Sequence, residues 1–131
     1  MSKEKATTSL GVDKAAELFN GFADPTRLRL LSLIAHCKEI CVCDLEAVTG
    51  LPQARVSRHL ANLRHSDLVN SRRDGVWIYY SLKQPETPLQ KTLLDAIRNA
   101  HNSVGQLAKD LETLQCTPCC SPQTVQIKLP K

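Results

Sequence analysis

Along most of the chain apolar residues recur at spacings of three and four, and in one short region they recur at every second position. Val12, Ala15, Ala16, Leu18, Phe19 and Phe22 fall on one face of a predicted first helix running from Val12 to Phe22. In the next stretch, A-D-P-T-R-L-R-L-L-S-L-I-A, Asp24 is placed to cap, Pro25 to take the first turn, and Leu28, Leu31 and Ile34 to face inward. Arg27 and Arg29 on this second helix are expected to be solvated or paired with an acid. Leu51 to Val69 puts Val56, Leu60 and Leu63 on an apolar face and leaves Gln53, Arg55, Ser57, Arg58 and His59 to solvent. A short helix over Asp44 to Thr49, the T-G-L-P turn and this arginine-bearing helix together predict a helix-turn-helix.

Beyond it, V-N-S-R-R-D-G-V-W-I-Y-Y-S-L reads as two strands joined at Asp74-Gly75, the dipeptide favoured in type I′ hairpin turns. Such a hairpin beside the recognition helix is a wing, with Arg72 and Arg73 near its tip. From Pro88 the periodicity predicts one helix to about Leu114. Its stripe of Leu93, Ile97, Ala100, Val104, Leu107, Leu111 and Leu114 repeats every 3.5 residues. A stripe that narrow pairs with a second copy or covers its own domain's core. The first reading predicts a homodimer, and two-fold symmetry then implies a roughly palindromic operator. The expected fold is therefore mainly α with a β-hairpin wing, a dimeric winged helix-turn-helix. Residues 1–11 form an N-terminal arm, 12–114 the domain and 115–131 a cysteine-bearing tail.

At 131 residues the chain has the length of one domain. The charge distribution is more informative than the total. Between Pro52 and Arg73 stand Arg55, Arg58, Arg64, Arg72 and Arg73 against one acid, Asp67, a surplus equal to the +4 of the whole chain. Cations gathered on the segment that carries the recognition helix and wing are the footprint of a phosphate-binding face. Arginine and glutamine bond bidentately to purine edges, serine and histidine hold phosphates, and wing cations follow the backbone or the minor groove. Gln53, Arg55, Ser57, Arg58, His59, Arg72 and Arg73 are the predicted contacts to double-stranded DNA. No apolar run approaches the roughly 20 residues of a membrane span, and the polar start M-S-K-E-K-A-T-T-S has no signal-peptide core, so a cytoplasmic protein is expected.

Six cysteines in that compartment favour metal or thiol chemistry over a disulfide framework. They form two groups: Cys37, Cys41 and Cys43 before the recognition helix, and Cys116, Cys119 and Cys120 after the last helix. Thiolates select soft or borderline ions such as zinc, cadmium, lead or cuprous copper and, by the same logic, trivalent arsenic and antimony. On a regular helix Cys41 and Cys43 would point to nearly opposite sides; at an extended lead-in or a first turn they converge. Cys37, near the end of the second helix, reads as a buried core residue. Cys116, Cys119 and Cys120 would share one face if the helix continued, but Pro118 argues that it stops, leaving a compact C-x-x-C-C able to offer three sulfurs. No nucleophile, base and orienting group occur together, so the chain does not read as an enzyme.

The motifs A-D-P-T-R-L-R-L-L, I-C-V-C-D-L, R-V-S-R-H-L-A-N-L-R and R-R-D-G-V-W-I-Y-Y-S-L, in that order over Leu18 to Leu82, resemble the ArsR/SmtB family of metalloregulatory repressors. The resemblance implies a winged helix-turn-helix homodimer that leaves its operator when an inducer binds. The C-V-C-D-L element is similar to that of the arsenic and antimony sensors, which makes Cys41 and Cys43 candidate ligands of arsenite or antimonite and implies control of a resistance operon. The best-known arsenic version places a third cysteine where this chain has Glu46, so a third sulfur must come from Cys37 or from Cys116, Cys119 and Cys120, unless those three form a separate site. Cadmium and lead sensors add cysteines from an N-terminal arm, which has none here. Asp95 and His101 do not match the spacing of the last-helix zinc site. The alternatives are another soft metal (cadmium, lead or zinc) or thiol oxidation as the signal.

Overall fold

A computed structural model describes residues 10–116. Helix α1 spans Val12–Gly21 and α2 spans Pro25–Ala35, the latter capped as its sequence predicts: the Asp24 carboxylate accepts from the backbone N–H of Thr26 at 2.9 Å and of Arg27 at 3.1 Å. A two-residue strand β1 (Ile40–Cys41) leads directly into α3 (Val42–Thr49), which starts two residues before the expected Asp44 because Cys41 serves as its N-cap. Helix α3 ends at Gly50, whose φ of +73° is the left-handed C′ conformation that glycine adopts without strain; its N–H donates to Glu46 O at 2.8 Å. Helix α4 (Gln53–His65) follows, then β2 (Val69–Asp74), β3 (Trp77–Leu82), α5 (Pro88–Asn99) and α6 (Gly105–Cys116).

The sheet is antiparallel with order β1-β3-β2, so the central strand links the wing to the segment carrying Cys41. Asp74 pairs with Trp77, which leaves Gly75-Val76 as the two-residue loop. Gly75 has φ +64° and Val76 is not among the residues of positive φ, the sign pattern of a type II′ turn with glycine first. The hairpin is thus as predicted, but its turn lies one residue later than Asp74-Gly75.

The predicted single helix from Pro88 to Leu114 is two. A capping box of Thr87 and Gln90 opens α5, a 3₁₀ turn over Ala100–Asn102 follows it, and α6 begins again at Gly105. The stretch H-N-S-V-G is poor in helix formers, and α6 is turned to pack on α2 and α3. Leu107, Leu111 and Leu114 are accordingly buried within this chain, while Val104 is left 43 % exposed. The heptad stripe mostly covers the domain's own core. That core gathers Leu18 of α1, Leu30, Leu33 and Ile34 of α2, Leu45 of α3, Val56, Leu60 and Leu63 of α4, and Leu94 and Ile97 of α5. Arg29 reaches Asp110 through two bonds of 2.8 and 2.9 Å, the acid pairing expected of it.

Candidate nucleic-acid interface and thiol site

Burial of Val56, Leu60 and Leu63 fixes the rotation of α4 and thereby decides what it offers to the outside. Gln53, Arg55, Ser57 and Arg58 are all exposed, within the first six residues of the helix. With no acid in that turn, the helix N-terminus and the two arginines add to one positive potential. The turn before it is pinned from the side: Thr49 Oγ1 donates to Leu45 O at 2.8 Å and accepts from the Leu51 N–H at 3.3 Å.

His59 is the exception among the predicted contacts. Its side chain is 13 % exposed and lies against the start of α2, with Nδ1 3.3 Å from Arg27 Nη1 and Nε2 3.9 Å from Asp24 Oδ2. The expectation that His59 faces solvent is corrected. A guanidinium only donates, so Nδ1 accepts and the ring proton sits on Nε2, toward the carboxylate. Burial pushes the His59 pKa below its ordinary value, and Arg27, Arg58 and Arg55 act in the same direction against the raising effect of Asp24. The sequence did contain a signal: with Val56, Leu60 and Leu63, position 59 completes the i, i+3, i+4, i+7 pattern of a buried face. Arg27 in turn closes the end of α1, donating to Asn20 O at 3.0 Å and Gly21 O at 3.4 Å.

Both wing arginines are exposed, but Arg72 is held. Its Nε and Nη2 donate to the two oxygens of Glu39 at 2.7 Å each, and its guanidinium lies 4.6 Å from the centre of the Tyr79 ring. Arg64, one of the five arginines of the basic segment, ties α4 to the wing by donating to Ser71 Oγ at 3.1 Å.

Cys41 and Cys43 converge. Their sulfurs are 2.9 Å apart because Cys41 is still extended (φ −77°, ψ 147°) while Cys43 is already in the first turn of α3. Cys41 Sγ also accepts from the Cys43 N–H at 3.3 Å. Cys41 is 1 % exposed, and Cys43 is half-buried beside a pocket of about 290 Å³. The pocket's walls include Glu46 of α3, Gln53 and Ser57 of α4, and Trp77 and Tyr80 of β3. The paired thiols therefore abut both the recognition helix and the wing. Cys37 packs against the core but is only half-buried, less deeply placed than its sequence context predicts. Among the described residues no group of three or more His, Cys, Asp or Glu side chains is placed to hold an ion. Cys119 and Cys120 lie outside the described residues, and Cys116 closes α6.

A sequence profile described as "Bacterial regulatory protein, arsR family" matches residues 24–71. The arsenical resistance operon repressor of Escherichia coli is 36 % identical over 103 residues, covering 77 % of this chain and 87 % of that protein. This chain belongs to the ArsR family. Arsenic resistance transcriptional regulator ArsR1 of Pseudomonas putida is 46 % identical over 71 residues, covering 54 % of this chain and only 55 % of that relative's length. Among solved structures, the homodimeric winged helix-turn-helix DNA-binding domain Mb0332 of Mycobacterium bovis superposes with a TM-score of 0.57 at 26 % identity, covering 78 % of this chain and 91 % of that one. As a member of the ArsR family the chain is a DNA-binding regulatory protein rather than an enzyme, built on a winged helix-turn-helix. No helix among the described residues is long and apolar enough to cross a membrane.

Proposed function

We propose that this ArsR-family protein is a repressor that binds a palindromic operator as a homodimer and is released when trivalent arsenic or antimony is captured by its cysteines. The observation that carries this reading is the 2.9 Å approach of the Cys41 and Cys43 sulfurs at the start of α3, beside a pocket walled by the recognition helix and the wing. Arsenite bound as a tris-thiolate exchanges its three hydroxyls for sulfurs and releases three waters, with no change of oxidation state. Two of the sulfurs are Cys41 and Cys43. We assign the third sulfur to Cys116, Cys119 or Cys120, the three-cysteine group at the end of the sequence.

Capture draws the lead-in to α3 toward the ion. Because Gln53 and Ser57 share the pocket wall, the disturbance reaches the DNA-facing side of α4 directly. A difference of about 1–3 kcal/mol in inducer affinity between the free and DNA-bound forms weakens operator binding five- to 150-fold. Dimerisation is supported by the exposed apolar side chains of Val12 and Phe19 on α1 and of Val104 just before α6, and by the homodimeric state of the Mycobacterium bovis relative.

The test is operator binding under reducing conditions by fluorescence anisotropy, with arsenite, antimonite, cadmium and zinc titrated separately into the preformed complex. Release by micromolar arsenite or antimonite but not by zinc is the expected result; release by cadmium or zinc instead moves the site to another soft metal. The same short S···S distance favours a second reading, in which a peroxide oxidises the pair to a disulfide and is itself reduced to water. Retained response to arsenite with no response to peroxide excludes it.

A further inference from the structure

Arg72 is the wing cation expected to meet a DNA phosphate, yet within the chain it is already engaged by a carboxylate. Two bonds of 2.7 Å to the two oxygens of Glu39 form the fork-to-fork geometry in which a carboxylate most closely imitates a phosphate. The guanidinium is also fixed against the buried Tyr79, its cross-strand partner, so its direction is set as well as its charge. Asp74, 3.9 Å away, is too distant to share the fork. Glu39 immediately precedes β1, in the segment that carries Cys41 and outside the hairpin.

We propose that Glu39 is an intramolecular competitor for Arg72, holding the wing cation in the DNA-free state so that the operator backbone must displace it. This rests on the reading that the wing binds DNA. Glu39 is a positioning residue: it touches no DNA and acts through Arg72. Competition makes two demands that a merely structural carboxylate does not. Neutralising Glu39 must tighten operator binding, and it must do so only while Arg72 is present.

The experiment is a double-mutant cycle on the full chain, read as operator affinity over a range of salt concentrations, with Glu39→Gln, Arg72→Ala and the double variant. Glutamine preserves the shape of Glu39, and thermal melts check that each variant is folded. Glu39→Gln is expected to tighten binding about two- to fivefold, the range set by a solvent-accessible ion pair. Arg72→Ala is expected to lower the slope of log K against log salt by about 1, and adding Glu39→Gln to it is expected to change nothing further. Equal tightening in the presence and absence of Arg72 would mean only that one negative charge has been removed near DNA, and would overturn the proposal. So would unchanged or weaker binding by Glu39→Gln. A separate readout needs no DNA. The Arg72 Nε–H resonance is expected to be protected from solvent exchange in the parent protein and unprotected in Glu39→Gln; equal exchange in the two overturns the latch itself. Failure of the parent protein to bind any operator, with the Arg72 resonance still protected, identifies the DNA-binding reading as the part that failed.

Discussion

At the scale of single residues, Arg55 and Arg58 are exposed on α4, where the proposed function has them meet the operator. Their replacement by alanine should leave the melting temperature within a degree or two while costing about 1–3 kcal/mol each in operator affinity. His59, one position further along, should behave in the opposite way. Its neutral ring accepts from Arg27, and a second proton on it would face that guanidinium. The folded pKa is below the ordinary 6.5, so the folded chain holds fewer protons than the unfolded one as the pH falls past that value. The resulting contribution is fully present above about pH 6.5 and is lost as the pH falls through the folded pKa. His36 adds to the same trend, lowered first by burial and further by His101 and Arg98, against the raising effect of its bond to Ser32 O. Unfolding free energy should therefore decline from pH 7 to pH 5. His59→Gln, which keeps an acceptor for Arg27 but does not titrate, should make that decline shallower in urea titrations. An unchanged pH profile would mean that His59 does not brace the helix through its neutral form.

At the scale of elements, the seating of α4 depends on its end as much as on its apolar face. Ser66 closes the helix and Asp67 takes φ +63°, while Leu68 N–H reaches back to Leu63 O and Asp67 N–H to Arg64 O, the two bonds of a Schellman motif. Lys83 at 3.3 Å and Lys14 at 3.5 Å neutralise Asp67. The side chain of Leu68 then fills the space beside Gly21 of α1, where an added Cβ would stand 2.5 Å from Leu68 Cδ1. Leu68 is wholly buried, so its methyl has nowhere to turn. Gly21→Ala should cost about 1–3 kcal/mol, the usual range for overpacking, measurable by urea unfolding. A substitution without cost would mean that α1 is free to shift on α4.

The elements also mark what the sequence was able to disclose. Caps and periodicity located α1, α2, α4 and the wing because each rests on local chemistry: Asp24 and Pro25, the left-handed Gly50, the alternation after Val69. The convergence of Cys41 and Cys43 was foreseeable from the chance that they straddle a helix start. The interruption after Asn99 had only a weak local signal, the poor helix formers from His101 to Gly105, which the unbroken 3.5-residue stripe overrode. What turns α6 back onto the core is tertiary, above all the Arg29–Asp110 pair between residues 81 apart in the chain. The latch on Arg72 is hidden for the same reason: Glu39 stands 33 residues away, and only the strand order brings the two together.

For the whole molecule, the attachment of α6 controls both the core and the surface left for a second copy. Asp110 is 3 % exposed and accepts from Arg29 and from Gln106, so Asp110→Ala strands a guanidinium that is itself mostly buried. Removing one partner from a fully buried pair costs about 3–5 kcal/mol; with Arg29 still partly solvated, about 1–3 kcal/mol is expected. The surface consequence concerns Val104, the one stripe residue that the break after α5 turns outward. It borders a small apolar pocket formed with Pro25, Leu28 and Leu107. Phe19, at 52 % exposure, presents a second apolar side chain from α1. If these surfaces join two copies, Val104→Asp and Phe19→Asp each place a charge in a desolvated contact and should shift sedimentation at micromolar concentration from dimer toward monomer, without lowering the melting temperature of the separated chain. A half-site reads only part of a two-fold operator, so the same variants should bind the full operator more weakly and with a smaller salt slope, while affinity for an isolated half-site stays as it was. Dimers that persist in both variants would place the contact elsewhere on the molecule and leave these side chains as ordinary surface.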